Sequence, residues 1–175
     1  MLAQPNIVIA LLLVPLAVAF TYMDVRYRRI PNTLVLVTFV GGITLNTIFS
    51  GSHGLLVSLE GFALAFGLMF FLHAFGTMGA GDVKLFAAIG AIIGVSMVLP
   101  TLALVALTGG VFAICKMIYS RRTVATMLGV SQFFYGLLPG QRVPRFEVPV
   151  DRTFTLPYAV PICFGSLIAF FLFRF

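Results

Sequence analysis

Asp24-Val25-Arg26-Tyr27-Arg28-Arg29-Ile30-Pro31-Asn32 divides two apolar runs, at about 7–23 and 33–49. Each run is close to the ~17–25 residues that a bilayer-spanning helix needs, so the stretch reads as a turn between two spans. Pro31 ends the turn and suits the first turn of the next helix, where its missing N–H has no partner to lose. Asn32 beside it can hydrogen-bond locally. Further apolar runs lie at about 55–75, 83–99, 102–118 and 157–173, the one at 83–99 short and punctuated by glycine. The pattern predicts an all-α integral membrane protein. It is a bundle of about six transmembrane helices, in a single membrane-embedded domain over 1–175.

Composition agrees. Of 175 residues, 61% are hydrophobic and only 9% charged, and the mean hydropathy is +1.12. Soluble domains carry roughly 25% charged residues, so this chain cannot cover itself with a polar surface. The segment from Met1 to Asn6 lacks the positive charge that opens a secretory signal. The run after it ends at Asp24 and arginines rather than at a small-residue cleavage site, and reads as a retained first span.

The net charge is +6, yet its placement argues for a lipid bilayer as partner and against a nucleic acid. Connections one, three and five hold Arg26, Arg28, Arg29, Lys84, Arg121, Arg122, Arg142, Arg145 and Arg152, with Lys116 just inside the fifth span. Connections two and four, Ser50-Gly51-Ser52-His53 and a turn at Pro100, carry no lysine or arginine, and Arg174 stands alone on that side. The positive-inside rule then puts the odd-numbered connections in the cytoplasm and both termini outside, in an inner membrane. Between about 120 and 156, small polar residues and then Pro139, Pro144 and Pro149 interrupt a basic stretch. An interfacial amphipathic helix followed by an irregular cytoplasmic loop is expected there.

Asp24 and Asp82 fall on the same predicted side, at the exits of spans one and three. An ionisable group at bilayer depth is costly unless it does chemistry or moves ions. Two carboxyls held together cannot both ionise cheaply, so one keeps its proton while the other serves as base on a water. Hydrolysis of a peptide by two aspartates needs this division of labour. Asp82 closes Gly79-Ala80-Gly81-Asp82, in which Gly79 and Gly81 let the chain turn tightly and leave room for an extended substrate backbone. Lys84 is a candidate to tune the pair or to meet a substrate carbonyl or carboxylate, and equally an ordinary interfacial anchor. His53 and His73 form no HExxH, Ser166 has no histidine after it, and Cys115 and Cys163 form no CxxC pair. The two cysteines read as small hydrophobes, and no metal or cofactor is expected.

Asp24 with its basic turn and Ile30-Pro31-Asn32, then Gly79-Ala80-Gly81-Asp82-Val83-Lys84, resemble the type IV prepilin peptidases, membrane aspartyl proteases with a GxGD motif. Leu156-Pro157-Tyr158-Ala159-Val160-Pro161 before the last span is similar to their usual ending. The small size and the Ile-Pro-Asn turn look most like the tight-adherence (Flp) branch, and the archaeal preflagellin peptidases are a close alternative. The resemblance implies that Asp24 and Asp82 are catalytic. It implies a pilin precursor as substrate, cleaved at the cytoplasmic face between a short basic leader and its hydrophobic helix. Larger members carry a cytoplasmic insert with CxxC motifs, linked to zinc and N-methylation. This chain lacks both the insert and the motifs, so neither zinc nor methyl transfer is expected. The competing readings are a small ion- or proton-coupled transporter and a non-catalytic membrane subunit of a pilus or secretion assembly.

Overall fold

The computed structural model describes residues 5–75, 78–119 and 158–174, and among these the only regular structure is helix. The helices are α1 (Pro5–Tyr27), α2 (Asn32–Ala74), α3 (Ala80–Ile93), α4 (Val95–Tyr119) and α5 (Ala159–Arg174). Three of them, α1, α2 and α4, are long and apolar enough to cross a membrane, and α5 is a shorter apolar helix. The chain divides into two units, Met1–Gly109 with Pro157–Phe175, and Gly110–Leu156. In the second unit the described part is the end of α4, where Val111, Phe112, Ile114, Cys115 and Ile118 are exposed. Cys115 is therefore not the packed small hydrophobe expected of it. The amphipathic helix and loop expected over 120–156 lie outside the described residues.

A straight helix of 43 residues would run about 65 Å, twice the ~30 Å hydrocarbon core. Instead α2 folds back at Gly51, whose φ of 60° and ψ of −142° break the helix. Phe39 and Phe62 consequently pack together, ring centroids 4.6 Å apart and tilted by 55°. Positive φ costs glycine nothing, which is why the turn between the two arms falls there. The expected connection at Ser50-Gly51-Ser52-His53 is present as this turn.

The expected turn at Pro100 is not. The chain breaks at Gly94, with φ 79°, and Pro100 lies inside α4. The apolar run read as 83–99 is thus cut after Ile93, and residues 95–99 open α4.

The first unit is organised around α3. From Asp82 to Ile93 every side chain of α3 except Lys84 is buried, as expected of a helix that is apolar all round. It packs against α2, α1 and α5, while α1 also packs on α5 and α2. Close approach comes from small residues: a Cβ on Gly90 would meet the Gly61 carbonyl at 2.6 Å. Phe20, Phe86 and Phe170 complete the core, whereas Phe70, Phe71 and Phe75 are exposed. Ser166, in α5, is a buried small residue beside Gly165, which lies against Val105 of α4. The last helix runs antiparallel to the first, since Asn6 donates to the Arg174 carbonyl at 2.7 Å while Ala159 meets Asp24.

Candidate active site

Asp24 occupies the last turn of α1. The helix stops because Arg28 takes a left-handed conformation, φ 50°, its N–H bonded to the Asp24 carbonyl at 2.9 Å. A left-handed residue just past a helix is an ordinary stop signal. The chain then runs extended through Pro31, which caps α2 from outside and accepts from the amides of Leu34 and Val35 at 3.1 and 3.3 Å. Asp24 points inward and is 9% exposed. Its Oδ2 accepts the backbone N–H of Ala159 at 3.0 Å, and Arg28 lies within electrostatic reach.

Asp82, 8% exposed, is the third residue of α3 and reaches back to the amide of Gly79, the residue that caps the helix. That is the return half of a capping box. At Gly79 space is tight: a Cβ there would sit 3.2 Å from Asp82 Oδ2, which would have to give by a few tenths of an ångström. Its φ of −74° and ψ of 148° are open to any residue, so the tight-turn role expected of it is not the reason for glycine. A Cβ on Gly81 would make only ordinary contact with Ile30, at 3.5 Å. Packing does not explain Gly81. His73 fixes the approach to this turn by donating Nδ1–H to the Met78 carbonyl at 2.6 Å.

The two aspartate motifs meet. Ile30 packs on Gly81, and Lys84 Nζ donates to Asn32 Oδ1 at 3.3 Å across a separation of 52 residues. Asn32 is therefore spent on Lys84 and not on its own helix end, where no side-chain cap is formed. Burial first, and then the neighbouring Asp24 charge, push the Asp82 carboxyl from 3.8 up to about 6, against the pull of the Gly79 N–H. Two buried carboxyls whose charges are felt by each other can share one proton near neutral pH, the arrangement that acid–base hydrolysis requires.

Residues 11–114 match the profile of the type IV leader peptidase family. The chain belongs to that family. Neither the curated proteins nor the solved structures contain a match. Family membership makes the chain a peptidase, and its apolar helices make it a membrane protein. For a leader peptidase of this size, both aspartates and all of Pro31, Asn32, Gly79, Gly81 and Lys84 lie within the matched segment.

Two groups at the site were not singled out from the sequence, the Ala159 amide and Thr21. Cys163, read as a small hydrophobe, is indeed buried, 2% exposed; one turn along α5 from Ala159, it is also hydrogen-bonded to Thr21 and within electrostatic reach of both aspartates. The Leu-Pro-Tyr-Ala-Val-Pro ending carried the signal, because prolines at 157 and 161 mark a helix start. A backbone amide leaves no side-chain signature of its own.

Proposed function

We propose that this leader peptidase is a membrane-embedded aspartyl endopeptidase that removes the leader from type IV, Flp-like prepilin precursors. Cleavage takes place at the cytoplasmic face of the inner membrane. The observation that carries the reading is the buried, charge-coupled pair Asp24 and Asp82 within the segment that matches the family. One carboxylate takes a proton from a shared water, which attacks the scissile carbonyl. The protonated partner donates to the carbonyl oxygen, and the pair then delivers a proton to the departing amine. Lys84, exposed and resting on Asn32, is set to meet a substrate carbonyl or carboxylate.

Charge distribution supports the orientation. Arg26, Arg28, Arg29 and Lys84 share the aspartates' end of the first unit, while Arg174 contacts Asn6 and Ile93 at the other. A basic end belongs in the cytoplasm. Pilus assembly components are the expected neighbours of such an enzyme.

The test is co-expression with a candidate Flp-type precursor, read by mass spectrometry of the pilin N-terminus. The expected result is loss of the leader at one bond just before the hydrophobic segment. An intact precursor across a panel of such substrates, with the peptidase inserted in the membrane, would sink the assignment.

A further inference from the structure

The family match ends at residue 114, yet a hydrogen bond to Asp24 comes from residue 159. The bond is buried and spans 135 residues of chain, so it exists only when α5 is seated on α1. A second contact holds the same register: Thr21, three residues before Asp24, bonds Cys163, four residues after Ala159. Both pairs lie on the face that α1 and α5 share. The first N–H groups of a helix have no partner within it and carry the positive end of its dipole. Here one of them is spent on a carboxylate.

We propose that the Ala159 amide is a positioning group for the reaction, fixing Asp24 as the base of the pair and leaving the shared proton with Asp82. Two observations agree on that division. An N–H donated to a carboxylate oxygen favours the charged form; Asp82 takes its own from Gly79, beside it in sequence, whereas the Asp24 donor comes from another helix and immobilises Oδ2. Arg28 adds a cation on the Asp24 side. Seating of α5 therefore completes the site, and a chain with α5 displaced keeps both aspartates but lacks the base.

This inference rests on the peptidase reading, and two measurements separate them. The first needs no substrate: the Ala159 amide proton of the 15N-labelled protein in detergent is followed by NMR through a pH titration. Its shift is expected to move with pH in the wild type and to become flat in Asp24→Asn. A pH-independent Ala159 signal, or the same titration in Asp24→Asn, overturns the contact. The second replaces Ala159 by lactic acid, which exchanges the N–H for an ester oxygen and keeps the methyl group. The ester enzyme is expected to lose about tenfold in kcat with KM within about twofold. The acid limb of its pH–rate profile should move up by about one unit, the size of one hydrogen bond to a charged group. A slower ester enzyme with an unmoved acid limb overturns the proposal, since a merely structural role would give that result. If the amide titrates as expected but the wild type cleaves no precursor, the peptidase reading falls and the contact stands.

Discussion

The two ends of α3 treat polar groups in opposite ways. At its C-terminal end the last four carbonyls all find donors: Gly90 from the Gly94 amide at 2.9 Å, Ala91 and Ile92 from Asn46 Nδ2 at 3.0 and 3.2 Å, Ile93 from Arg174 at 3.1 Å. Arg174 also lies over the Phe170 ring, 5.8 Å from its centroid, and its charge complements the negative end of the helix dipole. At the N-terminal end two acidic side chains are buried close enough for one to disfavour the charge of the other. One end minimises free energy. The other holds two like groups together at a cost, and functional sites are where such costs are found.

The comparison can be broken most strongly at the satisfied end. Asn46→Ala strips Ala91, Ile92 and Ser58 of a common donor and is expected to cost about 2–3 kcal/mol, because buried acceptors are left unpaired. Arg174→Ala removes one bond and a dipole partner, for about 1–2 kcal/mol. Both are read as lowered thermal midpoints in detergent, with cleavage by the folded protein unchanged at low temperature. A loss of kcat in either would erase the distinction between the ends. The smallest effect has the opposite sign. Folded Asp82 holds its proton more tightly than a free carboxyl does, about 6 against 3.8. Its contribution to stability is therefore intact in acid and is lost as pH rises through 6. Asp82→Asn does not titrate, so its thermal midpoint should exceed that of the wild type by an amount that grows between pH 4 and 7. A gap that shrinks with rising pH would mean that Asp82 gains from ionising in the fold.

Much of this was legible in the sequence, and the misses have physical causes. The turn at Gly51 was readable because a glycine among serines interrupts two runs of spanning length. The break at Gly94 was not, because glycine is common inside membrane helices and Pro100 nearby looked like the stronger stop. That proline sits within α4, where it costs one backbone hydrogen bond to residue 96 without ending the helix. Asp24 and Asp82 stood out because acidic residues are rare here, and their motifs do meet through Ile30 with Gly81 and Asn32 with Lys84. The partners that satisfy the far end of α3, and the amide that reaches Asp24, depend on which helices are neighbours. Local pattern does not carry that information.

The most direct test measures leader cleavage by purified wild type, Asp24→Asn and Asp82→Asn in detergent, each verified as folded by its thermal transition. Both single variants are expected to fall by at least about a thousandfold, as fits the loss of an acid or base that acts on the reacting atoms. Either variant cleaving within about tenfold of the wild-type rate would contradict the shared-proton pair.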